Sequence, residues 1–240
     1  NYNDPFFFLL TIDPLFGNDR TLPDHPDLTQ RGLSLADGPT SLPALMYLAF
    51  VKEVATQTQP QYLGLAHEVN LYRDTVCTGN SASLCKYART TYYSRLKSLT
   101  QSAANLINTL PQKPIVFVGF QVEAAKGLMP ATTLPGGAVI PAPVADPNLA
   151  NGRSDFPFMQ AIGFSTLPFA VKAFQANPAS IPVDYFSSLT QVSGLPSLIV
   201  ESGWPSVSVP SDAGGVSSED VQRVYFTRMF QLAQQTRGLI

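Results

Sequence analysis

The sequence predicts an α/β fold in which a parallel sheet is covered by helices, and three observations lead there. Short apolar runs alternate with longer segments of helical spacing along the 240 residues. Those runs are apolar at successive rather than alternate positions, as strands buried on both faces are. Polar residues gather where the runs end, at Asp13, His67–Glu68, Gln121, Ser165–Thr166 and Glu201. A doubly wound sheet and a barrel both satisfy the alternation. No G-x-G-x-x-G or P-loop follows any strand, which removes the usual reason to prefer a nucleotide-binding sheet. A TIM (β/α)8 barrel builds its active site at the C-terminal ends of its strands, where the polar residues lie. The barrel is therefore the expected architecture.

Each element can be read in turn. Phe6–Asp13 (FFFLLTID) is a buried strand, followed by a Pro- and Asp-rich loop to about Pro43. Ala44–Thr56 has helical spacing, with Leu45, Leu48, Val51 and Val54 on one face. Tyr62–Val69 (YLGLAHEV) is the second strand, and Ala88–Leu110 is a long amphipathic helix carrying Leu96, Leu99, Ala103, Leu106 and Leu110. Ile115–Val122 (IVFVGFQV) is the third strand, and the Pro/Gly/Ala-rich stretch Met129–Asn151 is a surface excursion. Met159–Thr166 is the fourth strand and Asp184–Gln191 a short helix. Ser197–Glu201 (SLIVE) is the fifth strand, and Ser218–Arg237 is a closing helix capped by Ser-Ser-Glu-Asp. Gly238–Ile240 looks like the start of another strand.

Composition narrows the function. Hydrophobic residues make up 45%, which argues for one large packed domain rather than disorder. Charged residues are 13%, against roughly 25% in typical globular proteins. A net charge of −2 leaves no basic footprint for nucleic acid and no polybasic stretch for an anionic membrane. The longest apolar run, Phe6–Ile12, is far too short to span a bilayer. Low charge with 21 prolines points to an extracellular or periplasmic protein. Cys77 and Cys85 flank a polar loop, CTGNSASLC, and a disulfide closing it is expected, with two free thiols as the alternative. His25 and His67 are the only histidines and lack the paired spacing of a zinc site, so no metal is expected.

Carboxylates that end apolar strands are costly to bury unless something pairs with them. Glu68 ends YLGLAHE and Glu201 ends SLIVE. An ion pair with Arg73 or Arg153 would explain them structurally. The functional explanation is glycoside hydrolysis, which needs one carboxyl to protonate the leaving oxygen and a second to attack the sugar carbon. Glu123 is expected to point outward.

The residues around this pair resemble a family. Glu201-Ser202-Gly203-Trp204-Pro205-Ser206 looks like the nucleophile segment of glycoside hydrolase family 17, the β-1,3-glucanases. Tyr62–Val69 resembles that family's fourth strand, which ends in an Asn-Glu pair whose Glu is the general acid/base. Family 53, the β-1,4-galactanases of the same clan, is the competitor. Ile162-Gly163-Phe164-Ser165 with Pro168-Phe169 is similar to its sixth-strand segment. The resemblance implies a clan A barrel of which strands 3 to 7 are present. The expected domain is residues 1–240, a single barrel domain incomplete at both ends. Three residues depart from the pattern. His67 stands at the Asn that contacts the sugar 2-hydroxyl, Leu167 at a Tyr that bonds the nucleophile, and Val200 at a usually small position.

The expected function is a retaining hydrolase of a β-linked polysaccharide, with Glu201 as nucleophile and Glu68 as acid/base. His67, Asn70, Asp13, Gln121, Ser165 and Trp204 are candidate substrate-binding residues. Trp204, the only Trp, offers an apolar face for a pyranose, and rim packing is its alternative. No cofactor is needed. The expected partner is a carbohydrate, with neither nucleic acid nor membrane, and the chain is expected to be a monomer. The departures at His67 and Leu167 motivate a second reading, a catalytically inactive barrel that binds glycan.

Overall fold

The computed structural model describes residues 9–14, 40–74, 93–133, 139–140, 142–189, 194–208, 217–237 and 239. Cys77, Cys85 and His25 lie outside the described residues, so the expected disulfide does too. Strands β1 (Leu9–Thr11), β2 (Tyr62–Gly64), β3 (Ile115–Gln121), β6 (Ala161–Thr166) and β7 (Ser197–Ser202) form one sheet in the order β1-β2-β3-β6-β7. Every pairing in it is parallel. Strands of this sheet adjacent in sequence are thus adjacent in space, as in the wall of a (β/α)8 barrel, and among the described strands β1 and β7 are the outermost. Leu239 makes a parallel bridge to Ser197 beside β7, where the sequence suggested a further strand beginning.

Both faces of the wall are apolar, which is why the strands read as continuous hydrophobic runs. Alternate residues such as Leu63, Val116, Val118, Ile162 and Phe164 pack against the helices. The residues between them, Tyr62, Phe117, Ala161 and Leu198, pack on one another on the opposite face. Phe117 fills that face because its neighbours are small: a Cβ on Gly64 or Gly163 would lie 2.7 or 2.8 Å from its ring.

The helices differ in detail from the sequence expectation. Helix α1 (Leu42–Thr58) begins where the Ser41 side chain accepts from the Ala44 N–H, with Pro43 in the first turn. Its buried face is Ala44, Tyr47, Val51 and Ala55, whereas Leu45 is 52% exposed. The rotation has a polar cause: the Tyr47 hydroxyl donates to the Leu65 carbonyl at 2.6 Å, which seats Tyr47 against the sheet. Short α2 (Val69–Asp74) follows β2, and α3 (Tyr93–Ile107) buries Leu96, Leu99, Ala103 and Ile107. One-turn helices α4 (Val122–Ala125) and α5 (Gly152–Asp155) precede β6. Part of the surface excursion between them is an antiparallel pair, β4 (Thr132–Thr133) with β5 (Val139–Ile140). Helix α6 (Glu219–Gln235) is capped by Ser218, carries Glu219 and Asp220 in its first turn, and buries Tyr225, Met229 and Leu232. Among the described residues no helix is long and apolar enough to cross a membrane.

Candidate active site

The site forms where β2, β6 and β7 end at the same edge of the sheet. Ladder bonding at β2 continues past Gly64, with Leu65 N–H on Phe117 and Gly119 N–H on the Ala66 carbonyl at 2.9 Å. The chain then turns sharply. Glu68 sits in the left-handed region at φ 50°, an uncommon and strained conformation for a residue with a side chain. The turn brings the His67 ring down on Gly119, where a Cβ would lie 2.7 Å from Nδ1. Gly119 is therefore the space His67 occupies.

His67 Nε2 lies 2.7 Å from Glu201 Oε2. The imidazole is buried, whereas the Glu201 side chain is 49% exposed. A β-bulge after Phe164 pairs Ser165 with Glu201. Ser165 is fully buried and donates its hydroxyl to Glu68 Oε1 at 2.7 Å. One ligand-type atom from each of His67, Glu68 and Glu201 lies within 4.8 Å of the others. Two carboxylates thus face one gap in unequal environments, Glu68 in the wall and Glu201 open to solvent. Among the described residues His67 Nδ1 is buried without a hydrogen bond.

Beneath this pair lies a polar cluster that the sequence reading missed. Glu123 does not point outward; it is fully buried. It accepts hydrogen bonds from Gln121 Nε2, the Tyr185 hydroxyl, Thr166 Oγ1 at 2.7 Å and the Leu167 N–H at 3.0 Å. Burial pushes its pKa up, opposed by these donors. Burial, then the Glu123 charge, raises Tyr185. Nearby Tyr225 is pushed up to about 12, first by burial, and bonds Ser202 at 2.5 Å. The cluster ties α4 to the end of β6, next to the Ser165 that holds Glu68. Its signal was present: Glu123 sits in GFQVEAA, among apolar residues, and the cost argument applied to Glu68 and Glu201 applies there equally.

Several expected substrate contacts are placed elsewhere. Asn70 is buried, its amide donating to the Gln121 carbonyl at 2.9 Å and accepting from the Gln121 N–H at 2.8 Å. It joins α2 to β3 rather than facing a sugar. Gln121 is also buried; its side chain caps α4 by accepting from the Ala124 N–H and holds Glu123. Trp204 is 4% exposed, wedged edge-on to Phe169 and tilted over Tyr225. It supports the rim from beneath and offers no open face. Asp13 follows β1, and its charge acts on buried Tyr47. Arg73 pairs with Asp146 at 2.9 Å.

No protein-family model and no curated protein matches the sequence. Among solved structures the chain is similar to fungal β-1,4-galactanases, at 14% identity and a TM-score of 0.46 over 82% of this chain and 56% of theirs. It is also similar to a GH53 catalytic domain from Ignisphaera aggregans, at 11% identity and a TM-score of 0.49 over 82% of this chain and 52% of that one. The chain spans about half the length of these structures.

Proposed function

We propose that this chain carries the catalytic pair of a retaining glycoside hydrolase acting on a β-linked polysaccharide, a β-1,3-glucan or a β-1,4-galactan. The observation that supports it is the approach of Glu68 and Glu201 to within 4.8 Å from the ends of two different parallel strands. Retaining pairs stand about 5–5.5 Å apart, whereas inverting pairs leave about 6.5–9.5 Å for a water. In the first step Glu201 attacks the anomeric carbon while Glu68 gives its proton to the departing glycosidic oxygen. Oε2 is engaged by His67, so Oε1 is the attacking atom. In the second step Glu68 takes a proton from the water that displaces Glu201. Asp13 and His67 remain the sugar contacts of this reading. On the low charge and high proline content we place the enzyme outside the cytoplasm.

The His67–Glu201 contact favours a second reading, an inactive barrel that binds glycan, because it engages the nucleophile. Release of reducing ends from a panel of β-1,3-glucan, β-1,4-galactan and β-mannan separates the two. The hydrolase reading expects turnover that Glu201→Ala abolishes on every substrate. Glu68→Ala should keep activity on substrates with good leaving groups, and azide should rescue it as a β-glycosyl azide. Glycan binding without turnover would leave the second reading standing.

A further inference from the structure

We propose that His67, Glu68 and Glu201 form a binding site for one divalent transition-metal ion, with zinc the best chemical match. The two histidines are too far apart in sequence to suggest a zinc pair, but the fold supplies a mixed set instead. An imidazole nitrogen and two carboxylates converge with their donor atoms within 4.8 Å of one another. Zinc takes such donors at about 2.0–2.2 Å, which puts two of them about 3.4 Å apart on a tetrahedral ion. The 2.7 Å His67–Glu201 contact would open slightly, and the widest separation would close by about an ångström and a half. Glu201 can make that movement because its side chain is half exposed.

The other two donors are held in place. Gly119 leaves no freedom beneath the His67 ring, and Ser165 orients the Glu68 carboxylate. Three protein donors leave a fourth position for water, the open pattern of zinc sites that exchange ligands. One feature limits affinity. Metal at Nε2 places the ring proton on Nδ1, which is buried with no acceptor among the described residues. Zinc-bound histidines normally donate that proton to a carboxylate or carbonyl. The site therefore releases its ion to a chelator. A nitrogen donor also selects against calcium and magnesium, which prefer all-oxygen shells. Binding stands on geometry alone; that the ion blocks hydrolysis by occupying both carboxylates rests on the function proposed above.

Equilibrium dialysis of the intact chain against zinc chloride tests this, with His67→Asn and Glu201→Gln alongside and a thermal melt of each protein. The expected result is one ion per chain, bound more than tenfold more weakly in both variants and not displaced by excess calcium or magnesium. Should His67→Asn fail to fold, Glu201→Gln decides, since its side chain is half exposed and its shape is conserved. Unchanged affinity in a folded variant, or no binding by the parent chain, overturns the proposal. Zinc binding by a chain that hydrolyses no glycan would keep the ion site and remove the hydrolase.

Discussion

Replacing Glu123 by alanine should destabilise the fold strongly. Four donors point at this carboxylate: Gln121 Nε2, Thr166 Oγ1, Tyr185 OH and the Leu167 N–H. The two hydroxyls lie 3.2 Å from each other and can pair once it is gone. Gln121 Nε2 and the Leu167 N–H have no such recourse. A buried donor left unpaired costs about 1–3 kcal/mol, so the loss should be about 2–6 kcal/mol before any cavity term. Glu123→Gln keeps an acceptor but turns one donor toward another donor, and should cost about 1–3 kcal/mol. Urea unfolding followed by Trp204 emission measures both, since Trp204 is the only Trp and is buried against Tyr225. A Glu123→Ala protein within about 1 kcal/mol of the parent would refute the reasoning.

Three further outcomes follow from the same contacts. Burial raises the Glu123 pKa in the folded state above its ordinary 4.5, so its contribution to stability is full below that value and lost as pH rises through the folded value. The stability difference between parent and Glu123→Gln should accordingly fall as pH rises; a flat or rising difference would contradict it. Asn70→Ala should cost about 2–5 kcal/mol by unpairing the Gln121 backbone, with KM unchanged; a raised KM at unchanged stability would restore Asn70 as a sugar contact. Gly119→Ala should displace the His67 ring and cost about 1–3 kcal/mol, several degrees in Tm for a chain of this size. An unchanged melt would mean that His67 yields without penalty.

The strands were legible because both faces of the sheet are buried, which leaves long apolar runs in the sequence. Their ends were less so: the β2 ladder runs on only to Ala66 and falls short of Val69 because the backbone turns at Glu68, a conformation no local propensity announces. The face of α1 was legible in part: Val51 is buried and Leu48 and Val54 pack against the core, whereas Leu45 points outward and Ala44, Tyr47 and Ala55 complete the buried face, with the Tyr47 hydroxyl bonded to the Leu65 carbonyl. The sequence singled out Glu68 and Glu201 by the cost of a carboxylate on an apolar strand; the structure buries Glu68 but leaves Glu201 half exposed. The partners of each site residue were not. Whether Asn70 faces a cleft or Gln121, and whether His67 meets Glu68 or Glu201, depends on neighbours brought in from distant strands. Two-residue strands such as β4 and β5 are too short to show a period.

The central claim is that Glu68 and Glu201 work as a retaining pair, and the stereochemistry of the product tests it most directly. Proton NMR during hydrolysis of a β-linked oligosaccharide shows which anomer of the new reducing end appears before mutarotation mixes the two. Carboxylate oxygens within 4.8 Å of each other fit the spacing of a retaining pair, so the β-anomer should form first. First appearance of the α-anomer would contradict the account.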